Sequence, residues 1–187
     1  MSFLPSVLSE YEIDFSKELS VQEFFKYGFY KIADAGLKSQ ERFIKNPDVN
    51  PINYVVVSGL ESKYNEYREL IYILSIGGKV AKIGGTYAGM KSRHSSYNCG
   101  TRKARKKGTC SVTNFNITET QYAAIMNGKR IEWYVYDVPL AEATINVWGK
   151  EITYNAKTFY KYESELCNKY QEMIGHYPLL SSNSGVE

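Results

Sequence analysis

The sequence predicts an α+β protein, with strands and helices partly segregated along the chain. Three observations carry this. Two short apolar runs, Leu70 to Ile76 and Lys79 to Ile83, flank a Gly77-Gly78 turn and read as a hairpin. The stretch IEWYVYDV, from Ile131 to Val138, alternates as a strand. After Thr158, FYKYESELCNKYQEM keeps helical spacing through Met173. At 187 residues, with 43% hydrophobic and 23% charged residues, the chain has ordinary globular composition and fits one domain with a sizeable core.

The remaining elements follow in chain order. Ser20 and Glu23 form a capping-box pattern ahead of VQEFFKYGFYKIADAGLKSQERFIK, which predicts a helical N-terminal extension over residues 1–66. Pro47 and Pro51 interrupt it, and YVVV, Tyr54 to Val57, could form a short strand. In the central hairpin a plain two-residue loop would set Tyr72 and Lys82 on opposite faces. One bulge, or a three-residue loop, would bring them to the same face, so an irregular connection is expected.

Ala88 to Asn98 reads as a helix with Met90, Arg93, His94 and Tyr97 on one side, ended by Gly100. A basic loop over 101–108 follows, then SVTNFNI as a candidate strand and ETQYAAIMNG as a helix ended by Gly128. TINVWGKEITY suggests a second hairpin around Trp148-Gly149. The final helix, beginning near Thr158, places Glu163 about one turn inside it. The polar tail SSNSGVE is expected to fray.

Charge and composition narrow the function. The formal net charge is +3, yet nine Lys and Arg and no Asp or Glu lie between Leu70 and Thr118, so the rest of the chain is net acidic. Such concentration suggests a polyanion surface, because each cation that neutralises a phosphate releases condensed counterions. Three cysteines, none in a CxxC pair, and only two histidines, His94 and His176, argue against zinc sites and paired-histidine mechanisms. No apolar run approaches the roughly 20 residues of a membrane span, and the N-terminus lacks a signal-peptide pattern, so a soluble cytoplasmic protein is expected.

The order Tyr72, Lys82-Ile83-Gly84, Arg93, Tyr97 and the run SYNCG…KKGTCS, with Glu163 far downstream, resembles the GIY-YIG nuclease superfamily. The likeness is nearest to its small type II restriction endonuclease branch, where a lysine takes the place of the second signature tyrosine. It spans roughly Leu70 to Tyr170 and is strongest from Lys82 to Asn114. It implies a GIY-YIG-like core of a small antiparallel or mixed β-sheet flanked by helices, here over 67–175, between the N-terminal extension and a tail at 176–187.

The resemblance implies a catalytic set of Tyr72, Lys82, Arg93, Tyr97 and Glu163. Tyr72 would activate or position water, aided by Lys82, whose ammonium would favour the phenolate. Arg93 would neutralise developing phosphoryl charge. Glu163, rather than Glu165, would ligate one Mg²⁺, with Mn²⁺ able to substitute. Tyr97 would contact phosphate or assist the base. Lys91, His94, Arg102, Lys103, Arg105, Lys106 and Lys107 are the expected DNA contacts. Gly85 stands where the branch it resembles can carry a histidine.

The expected activity is thus a Mg²⁺-dependent, sequence-specific double-strand DNA endonuclease leaving 5′-phosphate and 3′-hydroxyl ends, with no nucleotide cofactor. Cutting both strands of a symmetric site favours a homodimer. A homing or phage-encoded nuclease of looser specificity is the nearest alternative. A non-catalytic DNA-binding protein is the alternative from another class.

Overall fold

A computed structural model describes residues 9–38 and 50–181. The α+β class is borne out. Five strands, β1 (Tyr30–Leu37), β2 (Ile52–Val56), β3 (Leu70–Ile76), β4 (Lys79–Thr86) and β5 (Ile131–Asp137), form one sheet in the order β2-β1-β5-β3-β4. All its pairings are antiparallel. Helices α1 (Glu61–Asn65), α2 (Gly89–Asn98), α3 (Arg102–Lys106), α4 (Val112–Met126) and α5 (Phe159–Ile174) accompany it, and β6 (Ala141–Val147) with β7 (Lys150–Ala156) makes a separate two-stranded hairpin.

Every residue of β3 is buried, which explains why it reads as a continuous apolar run rather than an alternation. Tyr72 and Leu74 belong to a core shared with Trp133, Met90, Tyr97 and Ile117, on the side of α2 and α4. Ile71 and Ile73 belong to a second core with Ile83, Phe24, Phe29 and Tyr170, which brings in the Val21–Tyr27 turn and α5.

The expected helical extension is corrected. Ser20 does cap a helix, its hydroxyl accepting from the Gln22 amide at 3.3 Å, but that helix is a short 3-10 segment, Val21–Tyr27, stopped by Gly28 in the left-handed region. The chain then becomes β1, paired to both β5 and β2, so residue 66 marks no boundary of the sheet. Tertiary pairing overrides a weak local preference in a stretch rich in aromatics and carrying Ile32 and Gly36. Residues 39–45 of the expected helix and tail residues 182–187 lie outside the described residues.

Two further expectations change. SVTNFNI is the start of α4, with the Ser111 hydroxyl capping the Asn114 amide at 3.1 Å, so the local cap outweighs the β-branched residues. The basic loop is largely helix α3, capped in the same way by Thr101 onto the Ala104 amide at 3.1 Å.

The central hairpin has the expected irregularity. Gly77 and Gly78 form the two-residue turn, both with positive φ, and Ile76 pairs with Lys79. Ser75 then pairs with Val80 but Leu74 with Lys82, so one residue is bulged out at Ala81 and Lys82 moves to the face of Tyr72 and Leu74. The outer edge of β4 is covered. Val80 donates to the Leu19 carbonyl at 2.9 Å, Leu180 donates to the Ala81 carbonyl at 2.9 Å, and the Ser181 hydroxyl bonds both backbone groups of Ile83 at 3.0 Å. Residues 180 and 181 therefore lie against the sheet rather than beyond it.

Candidate active site

Tyr72 on β3 and Tyr97 on α2 come together through their hydroxyls, 2.8 Å apart. Arg93, one turn before Tyr97, donates from Nε to both, at 2.9 Å to Tyr72 and 3.1 Å to Tyr97, and its guanidinium lies 4.6 Å from the Tyr97 ring centre. The i, i+4 spacing on α2 places Arg93 and Tyr97 on one face. Both phenols are fully buried beneath the half-buried arginine, with Trp133 packed behind the two rings.

This close packing has a backbone requirement. A Cβ at Gly84, which pairs with Tyr72 across the hairpin, would overlap the Tyr72 hydroxyl. At Gly85 a Cβ would lie 2.5 Å from the Phe159 ring and 2.7 Å from Glu163 Oε2. The space beside Gly85 is thus filled from α5 by Phe159 and Glu163.

Glu163 is half-buried on the face of α5 that carries Phe159, Leu166, Cys167 and Tyr170 toward the sheet. Burial raises its carboxyl above the usual range, while Lys82, Arg93 and the Gly85 amide pull it down. Glu165 points elsewhere: it is exposed and pairs with Lys169 at 3.4 Å. The amides of Thr158 and Phe159, which open α5, are capped at 2.8 and 2.9 Å by one carboxylate oxygen of Glu69, a residue from just before β3. That cap spans 89 and 90 residues of sequence, so no local motif could have announced it.

Lys82 is buried, donates to the Leu180 carbonyl at 3.1 Å, and has its ammonium pushed down to about 8 by burial and then by Arg93, against an opposing pull from Glu163. Burial also raises Tyr72 well above the ordinary phenol range, and the cation that opposes this shift is Arg93. The expected stabilisation of a Tyr72 phenolate by Lys82 is therefore corrected. At neutral pH Tyr72 holds its proton, and Lys82 is the group poised to lose one.

The structure brings Tyr72, Lys82, Arg93, Tyr97 and Glu163 into one electrostatically linked cluster. His94 is not a surface contact. It is 1% exposed, stacks on Tyr54 with ring centres 3.7 Å apart, and shares a hydrogen bond with Tyr64 at 2.9 Å. Burial, then Arg93, lower its imidazole to about 3, so it is a neutral core residue. Lys91 is exposed on α2, and Arg102, Lys103, Arg105, Lys106 and Lys107 are exposed along and just after α3. Within this group Arg102 pairs with Glu119 at 3.5 Å and Arg105 donates to the Cys110 carbonyl at 3.4 Å.

Among the described residues no three His, Cys, Asp or Glu side chains converge as a metal-binding group. Glu163 is the one carboxylate of the cluster, and Lys82 and Arg93 beside it oppose a dication unless substrate phosphate oxygens add negative charge, which Mg²⁺ commonly takes alongside one or two carboxylates.

The fold is shared with solved endonuclease structures. Restriction endonuclease HPY188I in complex with product DNA aligns at a TM-score of 0.57 and 22% identity, over 89% of this chain and 87% of that one. A mutant of bacteriophage T4 EndoII aligns at 0.52 and 17% identity, over 83% and 94%. No protein family and no curated protein matches the chain. No helix among the described residues is long and apolar enough to cross a membrane.

Proposed function

We propose that this chain is a Mg²⁺-dependent, site-specific DNA endonuclease of the GIY-YIG kind, hydrolysing phosphodiester bonds in duplex DNA to leave 5′-phosphate and 3′-hydroxyl ends. The observation that carries this reading is the joining of Tyr72, Arg93 and Tyr97 by mutual hydrogen bonds, with Lys82 and Glu163 linked to them electrostatically. Two structures of the same fold are endonucleases, one held with its product DNA, which supports DNA as the substrate.

Each side chain has a definable task. Arg93 spends Nε on the two phenols, which leaves its two Nη groups for a phosphoryl oxygen, where a fixed cation strengthens its hold as charge develops. The protonated Tyr72 hydroxyl orients the attacking water, and the neutral Lys82 amine accepts its proton. Tyr97 holds both partners in register. Glu163 would hold Mg²⁺, which supplies Lewis-acid stabilisation to the departing 3′ oxygen. The exposed basic residues of α3 would meet the DNA backbone, and cleavage of both strands of a symmetric site calls for a homodimer.

Plasmid nicking with and without Mg²⁺ tests the reading. Glu163→Gln should abolish cleavage while DNA binding persists, and Glu165→Gln should be nearly silent. Normal cleavage by the Glu163 variant would overturn the metal assignment, and DNA binding with no cleavage by the parent under any divalent ion would favour a non-catalytic binding protein.

A further inference from the structure

The β6–β7 hairpin stands apart from the five-stranded sheet, and its register sorts its side chains into two unlike faces. Ala143 faces Tyr154, Ile145 faces Ile152 and Val147 faces Lys150 on one side. Glu142 faces Asn155, Thr144 faces Thr153 and Asn146 faces Glu151 on the other. The first face is apolar except for Lys150 at its end. The second is polar, with two carboxylates and no cation.

Alternation this regular is the pattern of a ribbon built to bury one face. Yet Ile145, Ile152 and Tyr154 are 46%, 45% and 46% exposed, and Trp148 at the tip is 99% exposed. A two-stranded hairpin by itself is marginally stable in water, and apolar surface left in solvent contributes nothing to it.

We propose that the apolar face of this hairpin is a dimerisation surface whose occupant is the same face of a second copy of this chain. The arrangement is isologous, each ribbon presenting the identical patch, as a two-fold axis requires. Closing the two faces would remove two Trp, two Tyr and four Ile side chains from water. That is on the order of 1,000 Å² in total, the size at which a specific interface becomes possible. Duplex DNA is a poor occupant, because the apolar face offers phosphates one cation, Lys150, and the opposite face carries Glu142 and Glu151 with no cation. The proposal gives a surface to the homodimer of the nuclease reading, and it is argued from the hairpin alone.

Sedimentation velocity of the full chain over a dilution series, without DNA or metal, tests it. The variant combines Ile145→Thr and Ile152→Thr, which keep β-branching, with Trp148→Asn. Trp148 has a φ of 50° and precedes Gly149, so asparagine creates an Asn-Gly turn that favours the hairpin. The parent should dimerise and the variant should dissociate at least about 100-fold more readily, with unchanged far-ultraviolet dichroism. Only Trp148 of the two tryptophans is exposed, Trp133 being buried, so emission should shift to the blue as the parent dimerises. A parent that stays monomeric at every attainable concentration, or a variant that dimerises as the parent does, would overturn the proposal. So would a blue shift in a monomer that appears only when duplex DNA is added. A failure of cleavage leaves all these readings untouched, so the two proposals fail separately.

Discussion

Replacing Tyr72 by phenylalanine removes one oxygen and the two buried hydrogen bonds it makes, 2.8 Å to Tyr97 and 2.9 Å to Arg93. The ring keeps its contact with Trp133, at a centroid distance of 5.7 Å, so no cavity larger than a hydroxyl opens. Arg93 and Tyr97 keep their own 3.1 Å bond, and neither is left without a partner. The net cost should therefore be about 1–2 kcal/mol rather than the larger penalty of an orphaned charge. For a chain of this size that is a fall in Tm of about 2–8 °C. If the hydroxyl also orients the attacking water, single-turnover cleavage of supercoiled plasmid should slow by about 10²- to 10⁴-fold. That corresponds to about 3–5 kcal/mol of barrier, more than the stability change, and at 25 °C the variant stays folded. Tyr97→Phe is the matched control. It also removes two bonds of the triangle and should cost similar stability, but it should slow cleavage less. Cleavage by Tyr72→Phe at the parent rate would show the phenol to be a core residue. Equal rate losses in both variants would show that the phenols act only by holding Arg93.

The same geometry makes four further predictions. Because Lys82 is depressed to about 8, its neutral fraction and the single-turnover rate should climb through about pH 8 and then level off, whereas Lys82→Arg should be slow and flat from about pH 6.5 to about 9.5. The sign for stability is the same: between about 8 and the ordinary 10.5 the unfolded chain binds more protons at this site, so urea resistance should rise with pH in the parent and lose that increment in Lys82→Met. Gly85→Ala inserts a Cβ against Phe159 and Glu163, which should cost about 1–3 kcal/mol and move the carboxylate, raising the Mg²⁺ needed for half-maximal cleavage; an unchanged Mg²⁺ titration would show that Glu163 is not held there. Neutralising Arg102, Lys103, Arg105, Lys106 and Lys107 together should make the slope of log affinity against log salt shallower by about 3 to 4, the shortfall from five reflecting the engagement of Arg102 by Glu119; an unchanged slope would show α3 to be merely solvated.

What the sequence made legible follows the range over which each interaction acts. The Gly77-Gly78 turn, the helix carrying Arg93 and Tyr97, and the register that needs a bulge at Ala81 all depend on residues a few positions apart, and these were readable. Residues 30–37 were not, because Tyr30–Leu37 becomes a strand only when β5, a hundred residues later, and β2 present their edges. His94 failed for a related reason. Its spacing on α2 was right, but the rings that bury it, Tyr54, Tyr64 and Trp133, come from three other segments.

Remote packing also governs the chemistry of the cluster. A lysine after a hairpin and a tyrosine in a strand carry no sign of their proton affinity, and both shifts here arise first from burial. Lys82 is enclosed partly by Leu180, and Glu163 is aimed by a helix whose first amides are held by Glu69. The proton affinities of Tyr72 and Lys82 are therefore set in part by chain segments that contain no recognisable motif. A motif names the candidate groups, and the packing around them sets how tightly each holds its proton.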